Sequence, residues 1–79
     1  MICLPGYRYC GPGCSGPGAP TNKLDYFCLQ HDQCYQRGLP RRLCDEQFLR
    51  QLAPYMTRRD KLGRDARLMY RVISFKLGF

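Results

Sequence analysis

A chain of 79 residues with six cysteines and a formal net charge of +7 has room for one domain, and a core of that size is marginal without covalent staples. An even cysteine count in so short a chain suggests three disulfides and a secreted or other oxidising, extracellular-type compartment, with the pairing left open by sequence alone. No run approaches the ~18 apolar residues of a membrane span, and Met1 to Pro5 lacks the basic start and apolar stretch of a signal peptide.

In chain order, residues 1–20 read as a loop region, because Gly and Pro recur every two or three positions and neither helix nor strand persists through them. Its densest part, YCGPGCSGPG from Tyr9 to Gly18, can turn carbonyl oxygens toward a hard cation and N–H groups toward an anion. A first helix is predicted over 21–38, with Thr21 or Asn22 as N-cap, Asp25 in the first turn where it complements the helix dipole, and Gly38 as the stop. Pro40 fits the first turn of a second helix over 40–53. There Cys44, Phe48 and Leu52 form a buried stripe with Leu49 beside it, and Pro54 ends or bends the helix. A third helix is predicted over 60–77, where Leu62, Ala66, Met69, Tyr70, Ile73 and Leu77 recur at three- and four-residue steps; core packing is the default reading of this stripe, and insertion into lipid is the alternative. Gly63 weakens its start by about 1 kcal/mol relative to Ala. No strand, repeat or low-complexity tract is expected, so the fold class is all-α.

The chemistry concentrates in CLQHDQCY, Cys28 to Tyr35. On a helix, Cys28, His31, Cys34 and Tyr35 share one face and Asp32 projects from its flank. The lone histidine beside an acid is a candidate general base; the plainer reading is a surface His-Asp pair. A rival set of Cys10, Cys14, Cys28, His31 and Cys34 has the side chains for zinc. It lacks the usual pair of two-ligand knuckles and leaves Asp32 and the glycine loop without a role. Asp45, taken alone, is a first-turn acid favouring its helix dipole.

Together, YCGPG at Tyr9 to Gly13, CLQHDQCY at Cys28 to Tyr35, and the pair Cys44 and Asp45 resemble the secreted phospholipase A2 family, over Tyr9 to Phe48. The compactness is closest to its microbial and viral members. The resemblance implies a small disulfide-stapled fold: a Gly/Pro-rich calcium loop, two antiparallel catalytic helices and a C-terminal helix in a single domain. It implies Cys10 paired with Cys28 and Cys34 with Cys44, leaving Cys3 with Cys14. It further implies Ca²⁺ held by the carbonyls of Tyr9, Gly11 and Gly13 and by the Asp32 carboxylate, with water or substrate oxygens completing the shell. His31 would draw a proton from a water that attacks the sn-2 ester of a glycerophospholipid, Asp45 would fix the imidazole tautomer, and Tyr35 would hydrogen-bond Asp45. Calcium and the Gly11 amide would meet the developing oxyanion. Tyr55 and Tyr70 are candidates for a second supporting tyrosine. With water as nucleophile no acyl-enzyme is expected, and Ser15 lies in no nucleophile elbow. The chain departs from most animal relatives in having eight residues before Tyr9, nine between Cys34 and Cys44, Phe27 in place of the first of two tandem cysteines, and Cys14 where many have glycine.

Charge suggests the partner. Arg8 and Lys23 balance Asp25 and Asp32 in residues 1–36, so the whole excess lies in 37–79, where eleven basic side chains face four acidic ones. The expected partner is an anionic phospholipid membrane surface, met through Arg58, Arg59, Lys61 and Arg64 near the start of the third helix. No nucleic-acid-reading motif accompanies the charge. The functional alternatives are a catalytically idle, phospholipase-like peptide binding a membrane or receptor, and a zinc-bound nucleic-acid module.

Overall fold

Helix α1 (Lys23–Gln36) begins where the Asn22 side chain accepts the Asp25 N–H at 2.9 Å, the capping bond that satisfies one orphan donor of the first turn. It ends at Gly38, whose φ of +75° lets its N–H return to the Tyr35 carbonyl. The structure, a computed structural model, describes residues 3–11, 13, 14 and 16–77. Pro12 and Ser15 of the glycine loop and the Leu77 side chain of the expected stripe lie outside the described residues.

Helix α2 (Arg41–Leu52) has Pro40 as its N-cap residue rather than inside the first turn, with ψ at 130° and its carbonyl accepting the Cys44 N–H at 3.2 Å. Proline fits either place because its missing N–H has no intrahelical partner there. Pro54 falls in the short 3₁₀ turn Ala53–Tyr55, where α2 stops. Helix α3 (Lys61–Leu77) starts on Asp60, whose Oδ1 accepts the Gly63 N–H at 3.1 Å. Gly63 has a role that propensity does not reveal: a Cβ there would lie 2.0 Å from the Arg58 carbonyl oxygen. The glycine is what lets α3 approach the preceding turn.

Among the described residues there are three α-helices, one 3₁₀ turn and no strand. Helix α2 packs against both α1 and α3, and each helix gives the core a side chain with no exposed surface, namely Leu24, Leu52 and Ala66. Phe27, Cys28, Phe48 and Met69 surround them, with Tyr7 and Cys10 closing the core from the loop. Cys44, Phe48, Leu49 and Leu52 are all buried, while on α3 Leu62, Tyr70 and Ile73 are partly buried beside Ala66 and Met69. No described helix is long and apolar enough to cross a membrane.

The cysteines pair as Cys3–Cys14, Cys10–Cys28 and Cys34–Cys44, the pairing that the resemblance implies. With none free, no thiolate remains for zinc and the Cys/His set dissolves. Each bridge adds about 2–4 kcal/mol by restricting the unfolded chain. The first closes the glycine loop on itself, the second ties that loop to α1, and the third holds α1 against α2.

Candidate active site

The loop is positioned from α1 by Asp25. This carboxylate has no exposed surface and accepts the backbone N–H groups of Arg8, Tyr9, Cys10 and Thr21 at 2.8 to 3.2 Å. Burial pushes its carboxyl up, but the N–H bonds from Thr21, Tyr9, Arg8 and Cys10 outweigh burial and hold it below the ordinary carboxylate range. A full negative charge therefore sits under the loop and orders its amides. Sequence reasoning assigned Asp25 only to the helix dipole. The signal that could have found it is the Cys10–Cys28 bridge: Asp25 lies one turn before Cys28, on the face that bridge brings to the loop.

Six residues further along α1, His31 reaches across to α2. Its Nε2 lies 2.6 Å from Asp45 Oδ1, with the histidine side chain 11% and the aspartate 2% exposed. The Tyr35 hydroxyl donates to the same Asp45 oxygen. Phe48 of α2 stacks on the imidazole with ring centres 4.8 Å apart, and the Tyr35 ring lies at 4.5 Å on a tilt. These contacts leave the imidazole little freedom to rotate. The helix spacing and the Cys34–Cys44 bridge together set the reach, because His31 is nearly one turn before Cys34 and Asp45 directly follows Cys44.

Asp32 stands apart from this pair. It is partly exposed and makes no hydrogen bond or ion pair among the described residues. Burial pushes its carboxyl up, His31 opposes the shift, and the charge of Asp25 adds to it. A half-buried carboxylate without a donor is unfavourable for the fold alone.

One cavity of about 600 Å³ joins these groups. Tyr9, Gly11 and Gly13 line it from the loop, His31, Asp32 and Tyr35 from α1, Phe48 from α2, and Leu68, Met69, Val72 and Ile73 from α3. Gly11 and Gly13 take φ of +130° and +71°, conformations that side-chain-bearing residues rarely adopt. The Gly11 carbonyl accepts the Cys14 N–H at 3.1 Å, which leaves it a second lone pair. The carbonyls of Tyr9 and Gly13 accept no hydrogen bond among the described residues. Those residues contain no cluster of three His, Cys, Asp or Glu side chains, so a bound metal would meet one carboxylate supplemented by backbone and water oxygens. That donor set fits a hard, oxygen-preferring cation and not zinc. Of the two further tyrosines, Tyr55 packs edge-on against Phe27 and Tyr70 sits beside Glu46, Leu49 and Arg50.

A family model described as a phospholipase A2-like domain matches residues 1–53. Among curated proteins, the chain is similar to the membrane-associated phospholipase A2 of Rattus norvegicus, 41% identical over 44 residues, or 56% of this chain and 30% of that protein. It is also similar to acidic phospholipase A2 S17-58 of Austrelaps superbus, 56% identical over 27 residues covering 34% of this chain and 16% of that protein. Capsid protein VP1 of Junonia coenia densovirus is 42% identical over 38 residues, 47% of this chain and 5% of that protein. The chain thus spans less than a third of the length of these relatives, and no solved structure matches it. With the glycine loop, His31, Asp32, Tyr35 and Asp45 all inside a match that takes in 53 of the 79 residues, the chain belongs to the phospholipase A2-like domain family.

Proposed function

We propose that the chain hydrolyses the sn-2 ester of glycerophospholipids, releasing a fatty acid and a lysophospholipid, in a calcium-dependent reaction with water as nucleophile. The observation that carries this reading is the state of His31. Its Nε2 is engaged by Asp45 at 2.6 Å, its Nδ1 has no hydrogen-bond partner among the described residues, and its ring lines the cavity that Asp32 and the glycine loop share.

An ionised Asp45 accepting the Nε2–H leaves the Nδ1 lone pair free to take a proton from water. The water oxygen then bonds to the ester carbonyl carbon, the bond from that carbon to the glycerol oxygen breaks, and the Nδ1 proton passes to the departing alkoxide. Asp45 meanwhile stabilises the imidazolium as it forms, and the Tyr35 hydroxyl holds the carboxylate in place. Phe48, stacked on the ring, excludes water from that side. Calcium, held by Asp32 and the carbonyls of Tyr9, Gly11 and Gly13, would supply positive charge for the ester carbonyl oxygen as it becomes an oxyanion. The Gly11 amide is a further donor for that oxygen. Leu4, Phe48, Leu68, Met69, Val72 and Ile73 make the rest of the cavity apolar, which suits an acyl chain. The three disulfides fit an oxidising, extracellular-type compartment.

The test is release of fatty acid from a phospholipid labelled at sn-2. Release is expected in calcium and lost in EDTA, with magnesium restoring it poorly because Mg²⁺ demands a tight octahedron and dehydrates reluctantly. Undiminished release in EDTA would refute the calcium requirement. Absence of release in calcium would leave the idle, binding-only alternative.

A further inference from the structure

Helix α3 lies beyond the residues matched by the family model, and the core uses only one side of it. The other side carries Leu68, Val72 and Phe75, which are 46%, 58% and 85% exposed. Arg64 and Arg71 fall three or four residues from these positions and share their face. Leu68 and Val72 also line the catalytic cavity, so the exposed apolar strip runs without a break into the space assigned to the acyl chain.

The basic residues sort differently in three dimensions than along the chain. Arg58 is paired with Asp60 at 2.6 Å, and Lys61 with Asp65 at 2.7 Å while also lying over the Tyr7 ring. Arg67 donates to the carbonyls of Met56 and Arg58. Arg64 and Arg71 make no hydrogen bond or ion pair among the described residues. Of the four basic residues that the sequence singles out, Arg58 and Lys61 are thus spent on neighbouring acids while Arg59 and Arg64 are not, and Arg64 shares with Arg71 the face of the exposed apolar side chains.

We propose that this face of α3 docks the cavity mouth on an anionic lipid bilayer, with Leu68, Val72 and Phe75 entering the acyl region and Arg64 and Arg71 meeting lipid phosphates. The proposal deepens the phospholipase reading and rests on it. Charge and apolarity on one face argue for a bilayer, which offers phosphate and hydrocarbon at adjacent depths. A nucleic acid would satisfy the arginines and leave Val72 and Phe75 in water.

Binding is read with the full chain in EDTA, where no turnover is expected, by co-sedimentation with phosphatidylcholine vesicles with or without phosphatidylserine. Wild type is expected to sediment with the phosphatidylserine vesicles and to be released by salt. Arg64→Glu with Arg71→Glu should lower that partitioning at least about 30-fold, and Phe75→Ser about tenfold. None of these three residues lines the cavity, so hydrolysis of a dispersed short-chain phospholipid should be unchanged. The control is Arg42→Glu with Arg50→Glu, the same charge change on α2; Arg50 lies beside Tyr70, on the other side of α3. Its effect should stay below about threefold. Equal losses in both double variants would overturn the proposal in favour of net charge, and undiminished vesicle binding by Phe75→Ser, together with displacement from the vesicles by duplex DNA, would overturn it in favour of nucleic acid. Hydrolysis of the monomeric substrate without vesicle binding would overturn docking alone; vesicle binding without hydrolysis would overturn the enzymatic reading instead.

Discussion

Replacing Asp25 with Asn tests whether one buried charge holds the glycine loop. In the wild type, Oδ1 accepts from Arg8, Tyr9 and Cys10 and Oδ2 from Arg8 and Thr21. An asparagine keeping its oxygen at the Oδ1 site places an NH₂ against the Thr21 N–H, two donors face to face. The Thr21 amide is then orphaned, at about 1–2 kcal/mol, and three bonds fall from charged to neutral strength, at about 1 kcal/mol each. Relief of the cost of burying the charge returns about 1–2 kcal/mol, leaving a net loss of about 3 kcal/mol. The assay is urea unfolding of the oxidised protein, followed by circular dichroism across a pH series. Because the Asp25 carboxyl is held below its ordinary range when folded, its contribution is complete above the unfolded value of about 3.9 and disappears as pH falls through the folded value. The gap between wild type and variant should therefore narrow in acid. A loss under about 1 kcal/mol at neutral pH, or a gap that widens in acid, would refute the reasoning.

Gly63→Ala should lower stability by about 1–3 kcal/mol in a thermal melt despite the better helix propensity of alanine, because its Cβ would meet the Arg58 carbonyl oxygen; a higher melting temperature would contradict that. Asp32→Asn should raise the melting temperature in EDTA by removing a half-buried carboxylate that has no partner, and the same variant should bind calcium more weakly by calorimetry. Stabilisation without loss of calcium affinity would remove Asp32 from the ligand set. Tyr35→Phe should reduce kcat about tenfold with KM unchanged, the effect of one lost hydrogen bond to Asp45; a change confined to KM would place Tyr35 in substrate binding instead.

What the sequence made legible follows from how local each signal is. The residues of CLQHDQCY lie within two turns of one helix, so helical spacing alone groups them, and the resemblance supplied the cysteine partners that no spacing could choose. The all-α class followed from the apolar periodicity of α2 and α3. Three features escaped because each depends on contacts between segments distant in the chain, or on close backbone approach. Asp25 looked like a helix-dipole residue until the loop amides of Arg8 to Cys10 were seen around it. Gly63 looked like a weakness until the Arg58 carbonyl was found where a side chain would go. Arg58, Arg59, Lys61 and Arg64 form one cluster in the sequence, and which two of them Asp60 and Asp65 take, Arg58 and Lys61, depends on side-chain geometry that spacing does not fix. The apolar pattern of α3 identified its inward face and passed over Leu68, Val72 and Phe75, which lie on its outward side.

The most direct measurement at the site is His31→Gln, read by calcium titration and by turnover on the sn-2-labelled substrate in the same preparation. If His31 is the base and takes no part in holding the cation, calcium affinity stays within about threefold of wild type while turnover falls by about 10²–10⁴-fold or more. Retained turnover, or a loss of calcium affinity as large as that of Asp32→Asn, would contradict it.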